Sequence, residues 1–394
     1  MANPTRILRV STTVQKGGAG AHVKALNNAI NQDSNFESHL LCPRDHLQEN
    51  HAVPYAYGRL IANFNFLKTK FIGLDSYFEP VWVHHFKKLI PQFDIVHLHH
   101  LQGYFFDLRS LKLLRDKNVV LTMHDVWPLT GRCSVLTDCD LWQSHCGHCP
   151  RLDIYPSTFI DLSRFLHKKK KELFKSLDRL KVVVLSRYSE ELLKKSYLRD
   201  AEYVVIPPGI DCSIFRPLTR VKSDVPVLGV MAAKPGVDLK GFDVILNLIE
   251  FLAQNKNVKY HIHIVGSLDA KMQRLLSKYS FVKHTPFVAE EEDLSTLYNR
   301  FDLFLNFSRQ ETFGKTVVEA QSCGVPVLAR RIPAFEENVL FGELIADVQP
   351  ASLNRIIEQM LVRSWNKTEM HACMQRYSVQ NMAERYIKLY NSFF

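Results

Sequence analysis

The stretch Arg309-Gln310-Glu311-Thr312-Phe313-Gly314-Lys315-Thr316-Val317-Val318-Glu319-Ala320 decides how the rest of the chain is read. Before it, Phe301-Asp302-Leu303-Phe304-Leu305-Asn306 reads as a buried strand. After it, Thr316 to Cys323 reads as a short helix that Gly324 can end, and Pro326-Val327-Leu328-Ala329 reads as the next strand. Glu311 then sits on the loop at a strand's carboxyl end, and Glu319 sits eight residues on, inside the helix. Parallel α/β sheets bind ligands at that edge. The free N–H groups at the helix start, near Gly314, Lys315 and Thr316, suit an anion such as a phosphate. Taken alone, the pattern also fits one helix of a sheet with two exposed acids.

Working towards the amino terminus, Lys240-Gly241-Phe242-Asp243 opens another helix, with Ile245, Leu246 and Ile249 on one face. A lysine at such a helix start suits a diphosphate. Val227–Ala232, Tyr260–Val265 and Phe281–Phe287 read as strands. In the first half, the strand Arg6-Ile7-Leu8-Arg9-Val10-Ser11 is followed by Gly17-Gly18-Ala19-Gly20 and a helix from about Ala21 to Asn31. That loop is not G-x-G-x-x-G, so a dinucleotide reading is weak, and the choice lies between a tight turn and close backbone approach to a ligand. Glu37–Cys42, Phe93–Leu98, Asn118–Met123, Val182–Ser186 and Tyr203–Ile206 are further strands. The aromatic-rich stretch Leu47–Leu89 shows no clear strand and reads as helices and loops. A last helix, about Val379 to Ser392, carries Met382, Tyr386, Ile387 and Tyr390 on a stripe.

The length of 394 residues fits two domains. No apolar run is long enough to span a membrane. The start, Met-Ala-Asn-Pro-Thr-Arg, lacks the apolar segment of a secretory signal, so a cytoplasmic protein is expected. A net charge of +10 makes nucleic acid the first partner to consider, but no nucleic-acid module or aromatic-interleaved basic patch accompanies it, and none is expected. Much of the excess lies in Arg164–Lys181, where eight Lys or Arg face Glu172 and Asp178, a local charge of +6. Leu166, Leu173, Leu177 and Leu180 fall at helical spacing there. The segment reads either as a basic amphipathic helix on an anionic membrane surface or as a core helix with a solvated basic face.

Four of the eight cysteines fall in Cys133-x5-Cys139-x6-Cys146-x2-Cys149. Four thiolates at loop spacing can hold a structural Zn2+, leaving no open position for catalysis. Free buried thiols, disulfides or an iron–sulfur site are the alternatives, and reduced thiols are the norm in the cytoplasm. His97, His99 and His100 lack a carboxylate or cysteine partner at a telling spacing, so cleft-lining or structural histidines are favoured over a metal site.

The run E-T-F-G-K-T-V-V-E-A-Q-S-C-G-V-P-V, with Glu311-x7-Glu319, resembles the glutamate motif of retaining GT-B glycosyltransferases of family 4. The resemblance extends to Asp-Ile-Val-His-Leu-His-His, Thr-Met-His-Asp-Val-Trp-Pro-Leu-Thr-Gly and Pro207-Pro208-Gly209-Ile210-Asp211, and so to nearly the whole chain. The cysteine run from Trp127 to Pro150 is similar to a branch containing colanic-acid and exopolysaccharide galactosyltransferases. The resemblance implies an α/β GT-B fold: two Rossmann-like domains facing across a cleft, with a C-terminal helix crossing back. Residues 1–212 would be the acceptor-side domain with the cysteine-rich loop 133–149, 213–376 the nucleotide-sugar domain, and 377–394 the returning helix.

The resemblance also implies roles. Gly17 and Gly18 would face the donor diphosphate, His124 would approach the donor sugar with Asp125 towards the acceptor, and Phe287 would lie where the base is held. Lys240 would hold the diphosphate, together with Phe313, Gly314, Lys315 and Thr316; either Lys234 stands in for the family's usual Arg or the leaving group is held with one cation fewer. Glu319 would accept ribose hydroxyls, and Glu311 would bind donor-sugar hydroxyls and favour an oxocarbenium-like centre. Expected, then, is metal-independent transfer of a hexose, with retention, from a UDP-hexose to a growing, lipid-linked glycan at the inner membrane face. Two rivals remain: a phosphorylase of the same fold, for which no pyridoxal lysine segment is seen, and a non-catalytic glycan- or lipid-binding relative.

Overall fold

The computed structural model describes residues 3–15, 17–45, 51–55, 58–136, 139–219, 224–231, 238–255 and 258–394. The chain divides into two compact units, Met1–Gly209 with Val379–Phe394, and Ile210–Ser378. The first crossing precedes residue 212 because Ile210 already belongs to the second unit, its N–H bonded to Tyr377 O at 2.8 Å. The second crossing falls at Ser378, where the last helix begins.

The first unit runs β1 Thr5–Val10, α1 Gly17–Ile30, β2 Phe36–Leu41, α2 Gly58–Ile72, α3 Pro80–Leu89, β3 Ile95–Leu98, β4 Asn118–Met123, α4 Ser163–Lys175, β5 Leu180–Val184, α5 Arg187–Lys194 and β6 Glu202–Val205. The strands are parallel, in the order β2-β1-β3-β4-β5-β6. Side chains alternate across a strand, so one sheet feeds two cores. Val119, Leu121 and Met123 of β4 pack with Trp82, Phe86, Phe105 and Phe106. Val120 points the other way, to Ile7, Leu26, Ile95 and Val183. With both faces covered, β4 reads as one continuous apolar run.

Two expectations are corrected here. The glycine run is not a loop before the helix: α1 starts at Gly17, and Gly17, Gly18 and Gly20 lie in its first turn. The basic helix does not reach Lys181. It ends at Lys175, and Leu180 and Lys181 open β5, paired with Val119 and Val120. An apolar residue every three or four positions cannot tell a helix from a helix followed by a short strand.

The second unit runs β7 Val227–Met231, α6 Phe242–Asn255, β8 His261–Val265, α7 Ala270–Leu276, β9 Val282–Thr285, α8 Glu291–Tyr298, β10 Leu303–Asn306, α9 Lys315–Ser322, β11 Val327–Arg330, α10 Pro333–Glu336, β12 Gly342–Ile345, α11 Pro350–Val362 and α12 Lys367–Met374. Its parallel order is β12-β11-β10-β7-β8-β9. Leu228, Ile262, Leu303 and Leu328 pack under Ile245, Leu248 and Ile249 of α6 and Leu353 and Ile357 of α11.

The last helix, α13 Val379–Asn391, returns to the first unit. Met382, Tyr386 and Tyr390 recur every fourth residue and join the core of Ile7, Leu26 and Val120. Their hydroxyls are satisfied under the sheet. Tyr386 bonds Thr122 Oγ1 at 2.9 Å, and Tyr390 bonds His97 Nδ1 at 2.8 Å and accepts from Arg9 Nη1 at 3.0 Å.

Candidate functional site

In the second unit, the loop from β10 to α9 brings the expected acids together. Gly314 caps α9 with φ 85°, and a Cβ there would sit 2.4 Å from the Phe335 ring, so only glycine lets the loop turn into the helix. Gly241 is equally constrained: a Cβ would come 2.0 Å from Phe307 O. That close approach lays Lys240 beside the loop. Lys240 Nζ pairs with Glu311 Oε1 at 2.5 Å, and Ser308 Oγ donates to the same oxygen at 2.9 Å. Arg309 pins the loop from its other side, donating to Asp243 Oδ1 and Oδ2 at 3.0 and 2.7 Å, which holds the Asp243 carboxyl below its usual range.

Glu319 is buried one helical turn behind Lys315. Its Oε2 accepts from Tyr298 Oη at 2.9 Å, and its Oε1 lies 3.4 Å from Lys315 Nζ. Lys315 also pairs with Glu291 at 3.2 Å. Burial opposes the Lys315 charge, but the Glu319 and Glu291 carboxylates outweigh it and raise the pKa. Lys315 is therefore committed to two acids. Thr316 Oγ1 accepts from Asn306 Nδ2 at 3.2 Å, tying the helix start to the strand end. The Phe313 ring is buried against Tyr377, centroids 5.4 Å apart, so it packs the loop from within. Phe287 is exposed beyond the end of β9. Lys234 lies outside the described residues.

In the first unit, the carboxyl ends of β3 and β4 carry the histidines. His99 Nδ1 and His124 Nε2 are 3.1 Å apart, and the His22 ring from α1 stands edge-on to His124, centroids 4.9 Å apart. Burial, reinforced by the positive charge of neighbouring groups, pushes His97, His99 and His124 well below the ordinary histidine pKa, so all three are neutral near pH 7. His97 uses both ring nitrogens in the protein, Nδ1 with Arg9 and Tyr390 and Nε2 with Thr122 Oγ1 at 2.8 Å, and has none to give a metal. Asp125 accepts from Trp127 N at 2.9 Å and pairs with His100 at 3.3 Å. His22 escaped the sequence reading because it lies on an ordinary apolar helix beside Val23 and Leu26.

The cysteines occupy the loop between β4 and α4. All four line one cavity of about 30 Å3 with Arg132, Trp142 and Ser163. None is in a disulfide. Cys133 and Cys149 share a hydrogen bond, which raises the pKa of the donor, Cys133, and lowers that of the acceptor, Cys149. Cys146 Sγ accepts from Gly131 N at 3.1 Å, yet no three of the four sulphurs lie within 4.8 Å of one another. Beneath the loop, fully buried Lys170 donates to Trp127 O at 2.8 Å and Thr130 O at 3.1 Å, and burial lowers its pKa to about 7.

Two doubly wound parallel units, the second with a Lys–Glu pair and a buried Glu at one sheet edge, have the architecture of the GT-B fold. Solved structures share this fold. A sucrose-phosphate synthase from Thermosynechococcus elongatus superposes with a TM-score of 0.71 at 16% identity, covering 99% of both chains. An Anabaena protein solved with UDP-glucose gives a TM-score of 0.62 at 16% identity, covering 98% of this chain and 99% of that one. The family model described as Glycosyltransferase Family 4 matches residues 16–214, and that of glycosyl transferases group 1 matches residues 225–362. The chain belongs to glycosyltransferase family 4. One relative is an Escherichia coli (strain K12) protein named as a colanic acid biosynthesis glycosyl transferase, 24% identical over 326 residues, 76% of each chain. Another is an Escherichia coli O-antigen biosynthesis glycosyltransferase, 25% identical over 225 residues, 54% of this chain and 62% of that one.

Proposed function

We propose that this glycosyltransferase moves a hexose from UDP-hexose, with retention and without a metal, to a lipid-linked surface polysaccharide at the inner face of the cell membrane. One observation carries the donor half: the Lys240–Glu311 pair at the start of α9, with Glu319 fixed behind it. Glu319 takes the ribose hydroxyls. Lys240 exchanges Glu311 for the diphosphate, and the α9 N–H groups add their partial positive charge. Lys315, tied to Glu319 and Glu291, orients the ribose acceptor. Gly17, Gly18 and His124 serve the first unit's side of the reaction, and Phe287 offers an exposed ring to the base. Glu311, released by Lys240, accepts the sugar hydroxyls and stabilises the electron-poor anomeric carbon. The bond from that carbon to the phosphate oxygen breaks as the acceptor oxygen bonds on the same face. The acceptor's proton passes to the departing phosphate.

The acceptor half rests on the relatives named for colanic acid and O-antigen biosynthesis and on one surface of the first unit. Leu60, Phe64, Leu67 and Phe71 recur at helical spacing on α2 and are all exposed, Phe64 at 68%. Phe159 extends this face, its ring 5.5 Å from that of Phe71 and under Lys70 Nζ at 4.5 Å. Exposed Arg164, Lys168 and Lys171 follow on α4. An aromatic stripe flanked by cations is the composition of a surface that lies in a lipid interface.

A thermal-shift panel of UDP-, GDP- and ADP-sugars tests the donor. A UDP-hexose present at about a hundred times its dissociation constant should stabilise the protein by about 2.7 kcal/mol. Glu319→Ala should weaken UDP binding by about 1.5–3 kcal/mol, the worth of a charged hydrogen bond. No response to any nucleotide sugar, or unchanged UDP affinity in Glu319→Ala, contradicts the site.

A further inference from the structure

The loop between β4 and α4 stands apart from the transfer chemistry, and its charges do not balance. Arg132 lines the cavity with the four cysteines, while fully buried Lys170 lies outside that lining and acts on Cys146 through space. Arg132 gives its guanidinium to the carbonyls of Arg151 at 2.7 Å and Ile154 at 2.8 Å, and to Cys149 Sγ at 3.8 Å. Lys170 donates to the carbonyls of Trp127 and Thr130, and its Nζ lies over the Trp127 ring, 3.4 Å from the centroid. Among the described residues, neither cation has a carboxylate within ion-pair distance. Asp75 and Asp125, which act on Lys170 through space, hold the indole and backbone N–H of Trp127. A buried charge without a counter-charge is costly, and the Arg132 guanidinium, which stays protonated, calls for negative charge in the cavity it lines.

We propose that Cys133, Cys139, Cys146 and Cys149 bind one structural Zn2+ as a tetrathiolate, whose net negative charge answers Arg132. Four thiolates against one dication leave that charge, and each thiol gives its proton to solvent on loading. The cavity between the sulphurs accepts a single ion, with the sulphurs drawing in to about 2.3 Å from the metal. Donors to sulphur are in place: Gly131 N on Cys146 and Arg132 Nη1 on Cys149. Such outer contacts orient metal ligands. Cys149 N is held in turn by Asp161 Oδ2 at 2.8 Å. The ion would close a loop whose described residues have only short 3-10 turns, such as Leu141–Gln143, for internal structure.

Metal analysis of the full chain, purified without added zinc, should find close to one zinc per chain. Cobalt(II) exchanged into the protein should give the strong visible absorption of a tetrahedral thiolate site. A Cys139→Ser, Cys146→Ser variant should lose both signals and become sensitive to protease between residues 133 and 161. Cys212→Ser, a cysteine outside the loop, should keep the metal and the spectrum. A zinc ratio near zero with the loop thiols titrating free, a disulfide found by mass spectrometry, or stoichiometric iron would each overturn the proposal.

Discussion

Burial at single residues sets the protonation of the first unit. In an unfolded chain the histidines titrate near 6.5. Folded, His97, His99 and His124 resist protonation to well below that value, because they are buried. Below about pH 6.5 the unfolded state therefore binds protons that the native state refuses, and stability falls as pH falls. Each histidine contributes a slope of up to about 1.4 kcal/mol per pH unit. Urea unfolding followed by tryptophan fluorescence reads this unit, where Trp82, Trp127 and Trp142 are buried. Stability should drop between about pH 7.5 and about pH 5.5, and His99→Gln should lessen the slope. An equal slope in His99→Gln would show that His99 is not held neutral. Lys170 shows how a residue's role can hide in a composition. It belongs to a run of four lysines that reads as a solvated face, yet it lies four residues from Leu166 and three from Leu173, on the buried stripe.

Among the elements, legibility followed environment. β4 and β10 are runs of apolar residues buried on both faces, and both were readable, with β10 starting two residues later than expected. α13 was readable because Met382, Tyr386 and Tyr390 keep a strict spacing. The start of α1 was not, because its first turn carries no apolar residue of the buried stripe. β12, Gly342–Ile345, is too short to show a period and was missed. The candidate acids came from motif and placement together, whereas Tyr298 of α8, which bonds Glu319, and Asp243 of α6, which holds Arg309 of the same loop, had no local signal. The surface of α2 also needed the structure, since only folding shows that its aromatic residues stay outside. That face predicts membrane binding with two separable parts. Phe64→Glu with Phe71→Glu should abolish pelleting with anionic liposomes at any salt. Lys168→Glu with Lys171→Glu should weaken it by about 1 kcal/mol or more per charge at low salt, an effect that added salt erases. Wild-type pelleting that is equal on neutral liposomes would remove the electrostatic part.

At the scale of the molecule, the proposed function has the second unit supply the positive charge for the diphosphate from its own side chains. Its cation is Lys240, held ready by Glu311 at 2.5 Å. Both partners are partly solvated, with 45% and 18% of their side-chain surface exposed, so the pair itself adds at most about 1 kcal/mol to stability. Its importance lies in the proposed reaction, where Lys240 would meet a diphosphate whose charge grows as the sugar departs. The most direct test is transfer from UDP-hexose in EDTA, comparing wild type with Lys240→Ala. The wild type should keep its turnover in EDTA, and Lys240→Ala should lose about 10²–10³ in rate with little change in donor affinity. Transfer that EDTA abolishes and Mg2+ restores, or a Lys240→Ala variant that loses donor affinity alone, would contradict the account.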